Sequence, residues 1–178
     1  REYYSLSSPQ HHFATGMKLM ERYNMDSVER EFMLARDLDG DFAPAYAGLA
    51  MVFSVRGDFD RALQELQKAR EKSKTEADTA AVALGTIKVY TDIYVADKAK
   101  GEALSWLQVA EEAYRKAGRY DSNDPALHFW MGRAYKAAGK YDGAEEAFRQ
   151  VKKLKGPYSP LASEELKFLS RMKAKKKN

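Results

Sequence analysis

The chain has 178 residues, of which 44% are hydrophobic and 31% charged, a composition typical of one globular domain. It contains no cysteine, which excludes disulfide bonds and thiolate chemistry, and no apolar run reaches the roughly 18–20 residues of a membrane-spanning helix. The formal charge of +4 falls to −1 without the five cations of residues 171–178, so the body of the domain is close to neutral.

Helix start and stop signals divide the chain into paired segments. Capping residues before a first-turn proline occur at Ser8 and Asp124. Two pairs have the spacing of a capping box, Asp26 with Glu29 and Thr75 with Asp78. Glycines where helices should end are Gly40, Gly57, Gly139 and Gly156. Together with the repeat described next, these signals predict one domain with hairpins over about 9–42, 43–77, 78–124 and 125–158, a capping helix over about 159–173 and a solvated, frayed basic tail at 174–178.

The four predicted hairpins share a pattern of small residues. The first helices carry them at Gly16, Ala50, Gly85 and Gly132, and the matching second-helix positions are Val28, Ala62, Ala110 and Ala144. The spacing is 34 or 35 residues except across the third hairpin, which holds about 13 additional residues between its anchors. Small side chains at these positions let two helices approach closely, and the large residues beside them fill the remaining space.

This pattern resembles the tetratricopeptide repeat (TPR) family over about residues 9–156. The fourth hairpin fits best, with Gly132, Tyr135, Gly139, Tyr141, Ala144 and Phe148 at the family's positions. The first hairpin departs most, since Tyr23 replaces a turn glycine and Val28 replaces an alanine. The resemblance implies an all-α, right-handed solenoid of four helical hairpins, the third elongated, with a C-terminal capping helix.

In the TPR family, the first helices of the hairpins line a concave groove. Carried onto this chain, its partner-binding positions are Phe13, Met17, Met20, Met51, Val55, Thr86, Tyr90, Phe129, Arg133 and Lys136. We expect a mostly apolar, methionine-rich groove. In it, Phe129 and Tyr90 would anchor an aliphatic side chain of the partner, and Arg133 and Lys136 would hold a carboxylate. The alternative places the apolar residues in the core. The family register favours exposure of Met17, Met51 and Phe129 and leaves Tyr90 evenly balanced.

The elongated third hairpin is the most individual feature of the chain. Shared between its two helices, the additional residues would lengthen each by about two turns, so that the hairpin protrudes by roughly 10 Å. Its tip carries Tyr94, Val95 and Trp106. These residues form either a second contact site or, as a slightly favoured alternative, an internal packing contact of the longer hairpin.

Catalysis receives little support from the sequence. It contains no HExxH motif, Walker-type glycine-rich loop or G-x-S-x-G motif. His12 and His128 fall at a helix-packing position of the TPR register, so we interpret them as packing residues rather than metal ligands. We therefore predict a non-enzyme without cofactor or metal. The basic tail favours at most non-specific contacts with nucleic acid or anionic lipid.

The resulting functional hypothesis is a scaffold or adaptor that binds a peptide or helix of a partner protein in its groove. A chaperone-tail clamp is not expected, because its lysine and asparagine positions hold Phe13 and Met17. The alternative is a structural scaffold that self-assembles by stacking of solenoids, which makes a second copy of the chain the partner. The chain is also similar to TPR regions of bacterial cell-envelope proteins, which slightly favours a periplasmic or cell-envelope location over a cytoplasmic one.

Overall fold

The computed structural model describes residues 7–20, 24–118 and 123–178, and this part of the chain is built from α-helices joined by short turns. The helices are α1 (Pro9–Met20), α2 (Met25–Leu38), α3 (Ala43–Val55), α4 (Phe59–Lys72), α5 (Glu76–Ala96), α6 (Lys98–Ala103), α7 (Trp106–Gly118), α8 (Pro125–Ala137), α9 (Tyr141–Leu154) and α10 (Ser159–Lys176). Within the described ranges, no helix combines the length and apolarity that crossing a membrane requires.

Four helix pairs pack as antiparallel hairpins: α1 with α2, α3 with α4, α5 with α7, and α8 with α9; α10 then covers α9. The all-α repeat architecture predicted from the sequence is confirmed. Each hairpin also contacts the next, and α3 lies in the interior, with its residues 43–54 buried. The first helices of neighbouring hairpins touch one another directly, a feature that decides what the concave face exposes.

The turns of the second and fourth hairpins have the same geometry. Gly57 and Gly139 adopt positive φ angles of 79° and 74°. The N–H of the residue after each glycine donates to the carbonyl five residues earlier, Asp58 to Phe53 and Lys140 to Tyr135, as in a Schellman motif. After Gly57, the Asp58 side chain accepts from the Arg61 N–H and begins α4. Glycine is required at both positions because a Cβ disfavours this backbone conformation.

One predicted helix start is corrected by the structure. Thr75 and Asp78 do form a capping box at the start of α5. The cap of α2 is instead Asn24, whose side chain accepts from the Ser27 N–H. Asp26 and Glu29 do not form the expected box, because their carboxylates bind Arg56 of the next hairpin, at 2.8 and 2.5 Å.

The additional residues of the third hairpin are distributed unequally between its helices, which corrects the predicted protruding arm. The helix α5 has 21 residues, but α7 has only 13, because the rest of the insertion forms α6. Gly101 of α6 packs so closely on α5 that a Cβ would lie 2.6 Å from the Tyr94 Cα. Lys100 of α6 also reaches Asp60 of α4, at 3.6 Å. The insertion therefore braces α5 against α4.

The aromatic residues of the insertion pack against each other, as the favoured alternative predicted. The rings of Tyr94 and Trp106 are stacked with centroids 4.3 Å apart and planes inclined by 10°. Trp106 is buried, whereas Val95 remains 69% exposed. Two of the three residues are thus internal contacts of the elongated hairpin.

The basic end of the chain is helical rather than frayed. The helix α10 continues to Lys176, and Ala162 and Leu169 are buried on its inner side. Lys173 binds Asp142 of α9 at 2.7 Å and also forms an ion pair with Glu145. Residues 174–178 themselves are exposed, and Lys176 lies against the last hairpin with its Nζ 5.0 Å from the centroid of the Tyr141 ring.

Replacement of Gly132 by alanine tests the close contact inside the fourth hairpin. We expect it to lower the free energy of unfolding by about 1–3 kcal/mol, because the new methyl group would lie 2.7 Å from the buried Phe148 ring. This loss exceeds the gain of roughly 1 kcal/mol that alanine brings to a helix interior. Urea unfolding followed by circular dichroism measures the change. The control is Gly40→Ala, since no atom of the described residues lies within 4 Å of that Cβ position. Equal stability of the two variants would contradict the packing constraint.

Candidate functional site

The C-terminal half of the domain contains a cleft of about 370 Å³. Its walls are α5 and α8, the first helices of the third and fourth hairpins, and its end is formed by Tyr141 of α9 and Phe168 of α10. The lining residues from the two walls are Lys88, Thr91, Asp92, Val95, Trp130, Arg133, Lys136 and Ala137. The cleft therefore combines charged groups with apolar surface, as a site for a peptide segment requires.

A chain of polar contacts fixes one wall of the cleft. The Ser54 hydroxyl of α3 donates to Asp92 Oδ2 of α5 at 2.8 Å, and Lys88 Nζ donates to the same oxygen at 2.8 Å. Lys88 is only 5% exposed, and its ammonium lies 4.4 Å from the centroid of the Trp130 ring on α8. The contacts link the first helices of three consecutive hairpins. A buried ammonium needs such a partner because an uncompensated charge is strongly unfavourable in the interior.

Arg133 is the accessible cation of the cleft. Its side chain stands on the exposed side of α8, with the guanidinium carbon 5.2 Å from the Trp130 ring centroid and 5.9 Å from that of Phe129. Among the residues that the structure describes, no carboxylate forms an ion pair with it, whereas Lys88 and Lys136 each have one. Arg133 thus retains the full set of donors that could bind an anionic group.

Lys136 closes the cleft towards the capping helix. Its Nζ donates to Glu165 Oε2 of α10 at 2.7 Å and lies 4.3 Å from the centroid of the Phe168 ring. Both partners belong to α10, so this lysine fixes the capping helix against α8. Its charge is already compensated.

The opposite side of α8 is held by hydrogen bonds to α7. The Tyr135 hydroxyl donates to Glu111 at 3.1 Å, and burial, together with the negative charge of Glu111, raises the pKa of Tyr135 to about 12.

His128 is buried, with its Nδ1 2.5 Å from the Tyr114 hydroxyl. His12 similarly contacts Glu31 at 2.6 Å. Both histidines therefore make helix-packing contacts of the kind predicted for them.

The structure brings two predicted groove residues, Arg133 and Lys136, into the cleft. The exposure predicted for Met51 and Phe129 is wrong: they are 0% and 3% exposed. They belong to one buried cluster with Leu84, against which Met17 and Met20 pack as half-buried residues. The reason is that the first helices of neighbouring hairpins are in direct contact, so these residues lie in the interfaces between the helices.

Phe13 and Val55 also lie outside the cleft. Phe13 is half-buried, and its ring centroid is 5.6 Å from that of Phe32 and 6.3 Å from that of Phe42. Val55 is exposed at the end of α3.

Thr86 and Tyr90 do not line this cleft. With Val82 they form the floor of a second cleft, of about 410 Å³, between α4 and α7. Thr86 is itself buried and donates to the Val82 carbonyl at 2.7 Å, while Tyr90 is half-buried. The first cleft is lined by Lys88 and Asp92 of α5 instead, so the family register and this cleft select different faces of the helix.

The cleft residues that the predicted set missed are Lys88, Asp92, Trp130 and Phe168. The first two had a recognisable signal. Lys88 is the single cation of α5 and stands four residues before Asp92, within an otherwise apolar stretch. That spacing is typical of an intrahelical ion pair, and the apolar context indicates burial. Trp130 and Phe168 had no comparable signal, since aromatic residues at helical spacing occur equally in cores.

The paired helices, short turns and repeated contacts define an α-helical repeat protein. A tetratricopeptide repeat family model matches residues 125–156, and a second matches residues 43–68. The first match contains Trp130, Arg133 and Lys136 of the cleft. Two of the four hairpins are thus recognised as tetratricopeptide repeats, as the sequence predicted. No curated protein sequence gives a significant match.

Solved structures share the fold at low sequence identity. A chain of the Cut9–Hcn1 hetero-tetramer of the APC/C aligns with a TM-score of 0.58 and 17% identity; the alignment covers 93% of this chain and 30% of that chain. MamA from Desulfovibrio magneticus RS-1, residues 41 to the end, aligns with a TM-score of 0.53 and 12% identity over 93% of this chain and 85% of that one. A further MamA crystal structure aligns with a TM-score of 0.54 and 18% identity, and the alignment covers 89% of this chain and 84% of that chain. These similarities establish the solenoid architecture.

The buried ion pair of the cleft wall is testable by a double-mutant cycle. Asp92→Ala should lower the free energy of unfolding by about 2–4 kcal/mol, because it leaves the Lys88 ammonium buried without a carboxylate. Adding Lys88→Met removes that unpaired charge, so the double variant should be more stable than Asp92→Ala alone. Urea unfolding of the four proteins gives the coupling energy. Additive losses would show that the two side chains are not coupled.

The pKa of Tyr135 predicts an alkaline loss of stability. Below about pH 10 the phenol is neutral in folded and unfolded chains, and its contribution to stability is fully present. As the pH rises from 10 towards 12, the unfolded chain ionises first, so this contribution is progressively lost. Tyr135→Phe should therefore lose less stability than wild type between about pH 9 and pH 11, as urea unfolding at each pH measures. Equal losses of stability in wild type and Tyr135→Phe over this pH range would contradict the raised pKa of Tyr135.

Proposed function

We propose that the chain is a non-catalytic scaffold that binds a segment of a partner protein in the cleft between α5, α8 and α10. Tetratricopeptide repeats are a protein-interaction fold, which supports the general role. The observation that carries the proposal is Arg133: an exposed guanidinium stacked on an aromatic ring at the edge of a concave site, with no carboxylate partner in the described chain. Arginine and tryptophan are enriched among the residues that dominate binding energies.

The cleft is also pre-organised for binding. Trp130 is held by the Lys88 ammonium on one wall, and α8 is fixed from behind by Tyr135 and Glu111. A partner would meet side chains that already occupy their positions, so that little ordering entropy opposes association. Exposed Val95 adds apolar surface beside the charged groups.

Affinity capture with matched variants tests this proposal. The wild-type chain, Arg133→Glu, Arg133→Met and the control Arg115→Glu are immobilised and exposed to a native extract of the source organism. Arg115 is an exposed arginine on α7 and does not line the cleft. We expect a partner held by wild type and by Arg115→Glu, and lost at least about tenfold with Arg133→Glu, since a charge reversal at a binding anchor removes 1.4 kcal/mol or more. Circular dichroism confirms that all four proteins are folded.

Each other outcome has a defined meaning. Equal capture by all variants would reject the cleft as the site, and the second cleft between α4 and α7 would be tested next. Recovery of the chain itself, with a molar mass that rises with concentration in light scattering, would favour the self-assembling scaffold instead. The proposed setting in a bacterial cell envelope is tested by the identity of the captured partner.

A further inference from the structure

The glycine contacts between hairpins show which residues of α5 and α3 occupy equivalent places. A Cβ on Gly48 of α3 would lie 2.7 Å from the ring of Phe32, in the second helix of the preceding hairpin. A Cβ on Gly85 of α5 would lie 3.2 Å from Leu66, which holds the same place one 34-residue period later. Gly85 is therefore the structural equivalent of Gly48, and the other residues of the two helices can be matched by counting from these glycines.

Matched in this way, α5 has small residues where α3 has large ones. Ala83 takes the place of Tyr46, and Thr86 takes the place of Leu49. In the fourth hairpin, the residue equivalent to Tyr46 is His128, since each stands four residues before the small anchor of its helix. The third hairpin thus has alanine at a place where both of its neighbours have a ring.

In the second and fourth hairpins, this ring fills the space next to the preceding second helix. Tyr46 is buried, its hydroxyl donates to the Gly40 carbonyl after α2 at 2.7 Å, and the Lys72 ammonium lies 5.4 Å from the ring centroid. His128 is buried, and its ring meets that of Tyr114 on α7 edge to face, with centroids 5.5 Å apart. An aromatic side chain with a polar atom is therefore the native occupant of this place.

The second cleft lies at the equivalent place of the third hairpin. Ala83 and Thr86 belong to its floor, and α4 and α7 form its walls. Apolar surface is added by Val82, Val109 and Ala113. Its volume of about 410 Å³ falls within the roughly 300–1,000 Å³ of sites that hold ligands. The cleft is open because Ala83 does not supply the ring that its equivalents supply.

The rim of the second cleft favours an aromatic ring. Arg70 of α4 and Lys116 of α7 line opposite walls, both are exposed, and within the described ranges neither forms an ion pair. A cation within about 6 Å of an aromatic face is attracted to the ring, as Lys72 is to Tyr46. Glu112 also lines the cleft, and its charge disfavours an acidic ligand but not a neutral ring.

We infer that the second cleft binds a tyrosine side chain of a partner protein, which takes the place that Tyr46 and His128 hold in the neighbouring hairpins. The ring would cover the apolar floor between the two cations, and the polar groups of Ser73 and Tyr90 in the lining suit its hydroxyl. The second cleft shares no lining residue with the cleft between α5, α8 and α10. It is therefore an additional contact surface, independent of the proposed function.

Filling the cleft with a ring of the chain itself tests the inference. Ala83→Tyr introduces the side chain of the second hairpin, and Val109→Tyr fills the cleft from the α7 wall. The matched control is Ala14→Tyr, since Ala14 is exposed on α1 and lines neither cleft. Ala83→Tyr should unfold at a urea concentration no lower than that of wild type, because the ring enters existing space. A ring forced into a fully packed interior would lower that concentration.

Selection from a displayed library of random heptapeptides then identifies the ligand. Every bait carries Arg133→Glu, so that peptides bound by the first cleft are not selected. The bait with the open second cleft and the bait with Ala14→Tyr should enrich tyrosine at one position, whereas Ala83→Tyr and Val109→Tyr should not. Replacing that tyrosine by leucine in a selected peptide should weaken binding roughly tenfold, because the ring and its cation contacts are lost.

A titration of the wild-type chain with p-cresol, the side chain of tyrosine without its backbone, requires no variant. In nuclear magnetic resonance spectra, the amide signals of Val82, Thr86 and Ala113 should move at millimolar concentrations. Absence of these shifts would overturn the inference. Shifts without any enriched tyrosine peptide would show a site for small phenols only and would overturn the partner assignment.

The remaining outcomes are equally decisive. An enriched position that is aliphatic or acidic would overturn the aromatic assignment. Tyrosine peptides that still bind folded Val109→Tyr would place the contact elsewhere, and this variant decides the question if Ala83→Tyr does not fold. Each of these failures leaves the proposed function untouched, because that function is judged by the loss of a partner with Arg133→Glu.

Discussion

The fold depends on the contact between a phenylalanine ring and a helix that has no side chain at the point of contact. Phe32 of α2 lies between Gly16 and Gly48, and a Cβ on either glycine would approach its ring to 2.5–2.7 Å. Phe148 makes the same contact with Gly132 in the fourth hairpin. Close approach of the backbones brings many atoms into van der Waals range. Through Gly48, the Phe32 ring also sets how closely the first two hairpins approach each other.

Close packing of the first helices has a direct effect on the functional surface. Because each of the helices α3, α5 and α8 contacts the next, apolar side chains between them are buried in the helix–helix interfaces. Only residues outside these interfaces reach solvent. The accessible cleft is therefore bounded by α5, α8 and α10 and combines charged with apolar side chains, rather than forming an apolar groove along the whole solenoid. Buried charge at Lys88 fits the same arrangement, since the helices are close enough to supply it with Asp92 and an aromatic ring.

The sequence contained enough information to predict the repeat fold. The 34-residue period depends on small residues that only tight helix pairs require, and such positions are readable without a structure. What it could not predict was the face that each residue of α5 presents. Ser54 binds Asp92, and Gly85 lies against the Ala47 carbonyl, so the two pairs set a register between α3 and α5 that differs from the family spacing. The observed cleft residues Lys88 and Asp92 are displaced by two residues from Thr86 and Tyr90, which is about 200° around the helix axis and therefore places the two pairs on opposite faces of α5. The fourth hairpin has no insertion, and there Arg133 and Lys136 lie in the cleft.

The length of α5 has a consequence for how the domain unfolds. Its residues belong to three separate hydrophobic clusters: Val89 and Ile93 share one with Phe53, Leu84 shares one with Met51, and Ile87 shares one with Trp106. In a solenoid whose units contact only their nearest neighbours, terminal repeats can open independently. Here, opening either flank uncovers part of the same helix. Amide hydrogens of the second, third and fourth hairpins should accordingly exchange as one cooperative unit, and cooperativity would be set by one helix rather than by the number of repeats.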